Sequence, residues 1–364
     1  MLYLSPPHLH SNEEKYLQEV LVSNWIAPVG EFLDKFETAI GNYIKTKYLL
    51  ATNSGTSALH LALLAANIKK NDIVLVSSFT FVASANPILY MGAIPVFIDS
   101  EKESWNICPK MIEKAIQTLK AQNKKPKALI ITHLYGQAAN LSAIQKITKE
   151  NDIILIEDAA ESLGCTWNHQ FVGTFGEYGF FSFNGNKIIT TSAGGMLVVK
   201  SEEVRKKTLF LATQAKDDAP HYQHTTIGYN YRLSNVLAAL GYGQVENLGW
   251  KIEKKRQIFN FYKQHLENNF ELMPELPQSN GTRWLSCILC KNESQREILR
   301  LKLLENKIET RPLWKPLHLQ PLFKDFLFFG ENISQHLFKR GLCLPSGTQI
   351  TEEQQMEVIR LLNS

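Results

Sequence analysis

Five short runs of almost unbroken apolar residues recur in the first half of the chain: YLLAT at Tyr48–Thr52, IVLVS at Ile73–Ser77, IPVFI at Ile94–Ile98, ALIIT at Ala128–Thr132 and IILI at Ile153–Ile156. Segments with helical spacing of apolar residues separate them. A strand with one face in water alternates apolar and polar side chains, whereas an unbroken run is covered on both faces. The pattern therefore predicts an α/β fold with a mostly parallel central sheet and helices on both faces. Ligands of such sheets bind at the carboxyl ends of the strands. Polar or unusual residues gather there: Asn53–Thr56, Phe81, His133, Asp158 and Lys187, the last just beyond the aromatic run YGFFSF.

Three of these places carry distinct chemistry. The turn Asn53-Ser54-Gly55-Thr56-Ser57 joins a strand to the helix-forming Ala58–Ala66. A helix start offers unpaired N–H groups and the positive end of the helix dipole, which suits a phosphate, although capping alone explains any one serine. Asp158 ends an apolar run, and a buried carboxylate needs a cation or hydrogen-bond donors; a simple N-cap would also serve. Lys187 is either a solvated loop lysine or an amine held in a cleft for covalent catalysis. A cofactor with a phosphate, a ring nitrogen and an aldehyde would use all three together. Pyridoxal phosphate has those groups, and Phe81 could stack on its ring.

Ser11 or Asn12 is placed to cap a first helix near 12–22. Beyond Ser201 the chain turns helical and polar, with Leu209–Asp218 read as extended. Gly228–Arg232 then leads into the small-residue helix SNVLAALGYGQVENL. A long helix over Lys251–Asn268 bridges to a second region. The expected organisation is a large cofactor-binding domain with an N-terminal arm over 1–250 and a smaller α+β domain over 251–364. In the second domain we expect strands at Trp284–Cys290 and Glu309–Pro312, a helix at Ser294–Asn306 and a terminal helix at Thr351–Leu362.

Formal net charge is +4, from 39 basic and 35 acidic residues, with no basic stripe interleaved with aromatics, so nucleic acid is not the expected partner. The five cysteines do not suggest a disulfide scaffold. Cys287 and Cys290 have metal-site spacing but lie in the apolar run WLSCILC, which reads as a buried strand, so no metal is expected. No stretch is long and apolar enough to span a membrane, and MLYLSPPHLH has neither the basic nor the apolar part of a signal peptide. The expected location is the cytoplasm.

Seven segments in order resemble the DegT/DnrJ/EryC1/StrS family of sugar aminotransferases, a branch of the fold-type I pyridoxal-phosphate enzymes. They are NSGTSAL (53–59), SSFTFVASANPILYMGAIPVFID (77–99), IEDAAESLG (156–164), FSFNGNK (181–187), GGMLVV (194–199), GYNYRLSNVLAALGYGQVENL (228–248) and RPLWKPLH (311–318). The resemblance implies that Lys187 carries pyridoxal 5'-phosphate covalently and that Asp158 partners its ring nitrogen. It implies that Phe81 stacks on the ring and that Ser54, Gly55, Thr56 and Ser182 cradle the phosphate. By the same resemblance, Asn230 would join them from the other subunit of a homodimer. The resemblance also implies Glu161 on the cofactor or sugar side, and Asn186, Tyr229, Arg232, Trp314, Lys315 and His318 at the substrate mouth.

The implied reaction passes an amino group from L-glutamate, through pyridoxamine 5'-phosphate, to the 4-keto group of a nucleotide-linked sugar. TRPLWKPLHLQPLF and EDAAESLG look most similar to enzymes of the bacillosamine pathway. Those enzymes act on UDP-linked 4-keto-6-deoxy-N-acetyl sugars and supply bacterial protein glycosylation. GDP-perosamine and dTDP-4-amino-sugar synthases share much of the set. Relatives that dehydrate their substrates replace the lysine with histidine, so Lys187 keeps this chain with the aminotransferases. A non-catalytic sensing module is the reading from another class, and the intact Lys187, Asp158, phosphate turn and Asn230 oppose it.

Overall fold

The apolar runs assemble side by side in a computed structural model that describes residues 1–364, apart from the side chain of Ser11. The strands are β1 (Leu49–Thr52), β2 (Ile73–Ser77), β3 (Ile94–Ile98), β4 (Pro126–Thr132), β5 (Ile154–Asp158), β6 (Tyr178–Ser182) and β7 (Gly195–Val198). With Phe328–Phe329 they form an eight-stranded sheet in the order β1-β7-β6-β5-β4-β2-β3 followed by Phe328–Phe329. Only β7 runs against the rest, pairing antiparallel with β1 and β6. The parallel strands therefore end along one edge, where the register sets Thr132 beside Asp158 and Asp158 beside Phe180.

Both faces of the sheet are covered, as the unbroken runs require. Leu129, Ile131 and Leu155 enter one core with Phe36, Ile40, Ile112 and Ile144. Their neighbours Ala128, Ile130 and Ile156 enter the other, with Leu59, Leu61, Ala62 and Phe97. Full burial of each large aliphatic side chain contributes about 1.5–3 kcal/mol. That drive is what holds the strand ends in register.

Strand β5 continues through Glu157 and Asp158, two residues past the apolar run. Glu157 can be buried because its carboxylate is fully answered. Oε2 accepts from the Gly173 N–H (2.8 Å) and pairs with His133 Nε2 (2.9 Å), and Oε1 accepts from the N–H groups of Phe175 (2.6 Å) and Gly176 (2.7 Å). His133 Nδ1 accepts from the Ala139 N–H (3.1 Å), so the proton sits on Nε2. His133 is thus a structural residue behind the sheet edge, although its place after β4 suggested chemistry.

The first helix spans Ser11–Ser23, and the His10 N–H donates to Glu13 (2.9 Å) at its start. Of the two expected caps, the Ser11 side chain lies outside the described residues. Leu209–Asp218 is not extended: a helix over Glu202–Ala212 is capped by Ser201, whose hydroxyl accepts from the Val204 N–H (3.3 Å). It breaks where Gln214 and Ala215 take positive φ.

The long helix covers Leu248–Leu266 and leads to an antiparallel sheet ordered Glu271–Leu272, Ser286–Leu289, Gly341–Leu344 and Arg311–Pro312. Cys287 faces Cys343 there (Sγ to Sγ 3.8 Å), and every cysteine is free, so the CxxC spacing reflects a buried strand. The two regions also exchange segments. Phe328–Phe329 returns to the large sheet beside β3, and the N-terminal arm pairs Leu2 with Ile308 and gives its Leu4 carbonyl to the Ser346 N–H (2.7 Å). Among the described residues no helix is long and apolar enough to cross a membrane, and no cluster of potential metal ligands occurs.

Candidate active site

Asp158 closes β5 and is only 5% exposed. Oδ2 accepts from the Ser84 hydroxyl (2.6 Å) and Oδ1 from the Ala160 N–H (3.0 Å). Burial raises its pKa, against these hydrogen bonds and the nearby charge of Lys187. A carboxylate in this position is ready for one more cation.

Lys187 stands in the loop between β6 and β7, its N–H bonded to the Asn184 carbonyl (3.0 Å). Nζ lies 3.9 Å from Glu161 Oε1 and 4.2 Å from the centre of the Trp284 ring. Glu161 is buried, accepting from the Tyr135 N–H (2.8 Å) and from the Trp314 indole N–H (3.1 Å). Burial lowers the Lys187 pKa and raises that of Glu161. Both shifts favour the neutral pair, so the free amine, which is the reactive form, is more accessible here than on a surface lysine.

An aromatic wall encloses this amine. Tyr135 stacks between Trp284 (6.2 Å) and Trp314 (6.3 Å), and Trp314 meets Phe81 at 5.4 Å. Tyr135 takes φ 51°, an uncommon backbone state for a large residue. Its N–H is held by Glu161, and its hydroxyl accepts from the Trp314 N–H (2.8 Å). Gly136 follows with φ 90°, and a Cβ there would lie 2.6 Å from the Trp284 nitrogen. Phe81 remains 51% exposed, as a ring waiting for a planar partner would be.

At the other end, Ser54 caps the Gly55–Ala65 helix, its hydroxyl accepting from the Ser57 N–H (3.0 Å). The first-turn N–H groups of Gly55 and Thr56 have no carbonyl within the helix to meet. Thr52 and Ser182 both lie opposite Gly195. A Cβ at Gly195 would stand 2.5 Å from the Gly55 nitrogen, so only glycine lets the two strands and the helix start converge. A Cβ on Gly55 would meet Ser182 Cβ at 3.2 Å, which brings these two phosphate candidates together.

Lysine amine, buried carboxylate, helix N-terminus and exposed aromatic ring form the donor set that pyridoxal 5'-phosphate requires. The chain matches the DegT/DnrJ/EryC1/StrS aminotransferase family over residues 7–363. It belongs to that family. EpsN of Bacillus subtilis strain 168, named as a pyridoxal phosphate-dependent aminotransferase, is 47% identical across 99% of this chain and 95% of its own length. GDP-perosamine synthase of Escherichia coli O157:H7 is 36% identical across 98% of this chain and 96% of its own. A family aminotransferase from Brucella abortus superposes with a TM-score of 0.92 at 27% identity, covering 97% of this chain and 94% of that one. The protein is a pyridoxal-phosphate-dependent aminotransferase of fold type I, with pyridoxamine phosphate as the alternate cofactor form.

The remaining candidates make other contacts. Arg232 is expected at the substrate mouth, but its buried guanidinium pairs with Glu37 and donates to the Ala51 carbonyl (3.0 Å), so it anchors β1 instead. Tyr229 stacks on Tyr231 (4.9 Å) and meets His60 edge-on. Asn230 is exposed, with its carbonyl held by Asn53 Nδ2 (2.9 Å). Lys315 is exposed, whereas His318 stacks on Phe328 (3.7 Å) and its Nδ1 lies 2.7 Å from the Ser78 hydroxyl. The Asn186 carbonyl accepts from the Trp284 indole N–H (2.8 Å), and its buried side-chain oxygen has no partner.

Ser84, Tyr135 and Trp284 touch Asp158, Glu161 and Lys187 respectively and join the candidate site beside the residues expected from sequence. Ser84 and Tyr135 sit inside short motifs at strand ends, which was the available signal. Trp284 looked like strand filling.

Behind Lys187, Lys251 and Lys255 are buried against the N-terminal arm. Lys255 donates to the carbonyls of Trp284 (3.0 Å) and Ser346 (2.9 Å), and burial lowers its pKa to about 7. A lysine in the unfolded chain keeps its proton to about pH 10. From pH 7 upward the unfolded state therefore binds more protons, and stability should rise by up to about 1.4 kcal/mol per pH unit. Urea unfolding at pH 7, 8 and 9 should show this slope flattened in Lys255→Met; equal slopes would mean Lys255 does not carry it.

Proposed function

We propose that this aminotransferase moves the amino group of L-glutamate to C4 of a nucleotide-linked 4-keto-6-deoxy sugar, with UDP-2-acetamido-2,6-dideoxy-hexos-4-ulose as acceptor and the UDP-4-amino sugar as product. The observation that carries the reading is the buried Lys187 amine, held between the Glu161 carboxylate and the Trp284 ring beside Asp158.

When bound, pyridoxal 5'-phosphate supplies a carbonyl that receives the amino group and a conjugated ring that draws electrons from the bond being broken. Asp158 holds a proton at the ring nitrogen; Ser84 and the Ala160 N–H fix both its oxygens, so it has little freedom to turn away. Lys187 Nζ would carry a proton from Cα of glutamate to the cofactor's carbonyl carbon and, in the second half of the cycle, from that carbon to C4 of the sugar. Ser54, Gly55, Thr56 and Ser182 bind the phosphate through hydroxyls and first-turn N–H groups. Phe81 would stack on the ring, with Trp314 packed against it (5.4 Å) on the substrate side.

Asn230, exposed on a single chain, completes the phosphate site of a partner subunit in a homodimer. Lys315 and His318 stand at the nucleotide-sugar mouth. The UDP-N-acetyl acceptor rests on the likeness of TRPLWKPLHLQPLF and EDAAESLG to bacillosamine-pathway enzymes. The 36% identity to a GDP-perosamine synthase favours a GDP-linked acceptor as the second reading. Purified protein with glutamate should be offered UDP-, GDP- and dTDP-linked 4-keto-6-deoxy sugars, with NMR of the products. The reading expects the UDP-N-acetyl substrate to give the highest kcat/KM. A larger value with the GDP sugar would replace it with the second.

A further inference from the structure

We propose that Trp284 is a positioning residue for Lys187: its indole face seats the amine whenever Lys187 is not covalently engaged, and its indole N–H fixes the backbone from which that side chain starts. This rests on the reading of Lys187 as the cofactor lysine.

Each part of the residue is committed. The ring centre lies 4.2 Å from Lys187 Nζ. The indole N–H donates to the carbonyl of Asn186, the residue immediately before Lys187 (2.8 Å). The Trp284 carbonyl accepts from Lys255 Nζ (3.0 Å), and Tyr135 stacks against the ring from the side of Glu161. A tryptophan that only filled the core could place its N–H on any carbonyl. This one binds the start of the catalytic loop and presents its face to the end of the lysine.

The consequence is geometric. A free lysine has four rotatable bonds and would wander once released from its covalent partner. The ring attracts the ammonium without accepting its proton, so the amine is stored within reach of its next proton transfer. The charged groups facing it are Glu161 and Asp158 at the sheet edge. Lys251, Lys255 and His8 line the small cavity behind, from the long helix and the arm. The site otherwise pushes Lys187 toward the neutral amine through burial, and the ring opposes that.

The test uses full-length protein grown on 5-fluorotryptophan and loaded with pyridoxamine 5'-phosphate, so that Lys187 is uncommitted. Of its six tryptophans, Trp284 is the one whose ring carries a lysine ammonium among the described residues. One fluorine resonance should titrate with the midpoint found for acylation of Lys187 by peptide mass spectrometry. It should lose that titration in Lys187→Met and vanish in Trp284→Phe. A Trp284 resonance that does not follow Lys187, or that titrates unchanged in Lys187→Met, overturns the proposal.

In turnover, Trp284→Leu should lower kcat about tenfold while KM for glutamate stays within about twofold, and Trp284→Phe should restore most of kcat. A change confined to KM overturns the proposal equally. The reading of Lys187 fails separately, if borohydride fixes the cofactor to a different lysine.

Discussion

Lys187→Ala abolishes transamination, with an expected loss of about 10³-fold or more in kcat. Wild-type protein treated with borohydride should yield a cofactor-bearing peptide that contains Lys187, and the variant none. Cofactor should still bind, because the phosphate turn, Asp158 and Phe81 do not depend on the lysine. On the proposed function, the size of the effect follows from two roles in one side chain: the covalent link and the proton transfers at Cα of the amino donor and at the keto carbon of the sugar. Burial favours the neutral amine needed for both. Arginine or methionine of similar reach has no free amine and should not rescue. Turnover within tenfold of wild type would remove Lys187 from the mechanism.

Asp158→Asn is the second large effect. The amide is nearly isosteric and can still accept from the Ala160 N–H and bond to Ser84, so the fold should persist with little change in unfolding midpoint. What disappears is the negative charge that, on the proposed function, keeps the ring nitrogen protonated. Loss of such a preorganised charge is expected to lower kcat by about 10²–10³-fold. The absorbance of bound cofactor should become pH-dependent near neutrality, where the wild type stays flat. Near-normal kcat in a protein that binds cofactor would show that Asp158 serves only as a cap. Asp158→Ala is less informative, because it also removes the buried acceptor of the Ser84 hydroxyl and the Ala160 N–H.

The two variants also separate levels of explanation. On the proposed function Lys187 acts at the reacting atoms, so its substitution should change kcat without changing the fold. Asp158 acts through the charge it presents, so its effect should track spectroscopy as well as rate. Glu161 differs from both: it ties Tyr135, Trp314 and Lys187 together, and its substitution would disturb all three contacts.

Much of this architecture was legible in the residues. Unbroken apolar runs at Ile73–Ser77, Ile94–Ile98 and Ala128–Thr132 can only be satisfied by cover on both faces, which determined the parallel sheet and located the site at its carboxyl edge. Lys187, Asp158 and the Ser54–Thr56 turn follow from that edge, since an amine, a carboxylate and a helix start at neighbouring strand ends are a recognisable set. Their ordered motifs also determined the family.

Other assignments needed the folded chain. His133 looked functional by position, yet its partner Glu157 lies on a neighbouring strand and converts it into a structural bond. Arg232 looked available to substrate until Glu37, far away in sequence, neutralised it. Trp284 carried no signal, because its meaning lies in Lys187 on one side and Lys255 on the other. The sequence by itself thus determined which chemical groups line up along the sheet edge, because hydrophobic periodicity is a local property that each strand obeys alone. Only the tertiary structure decided which of those groups remain free for chemistry. A buried charge is satisfied by whatever partner the packing brings within about 3 Å, and that partner can come from anywhere in the chain.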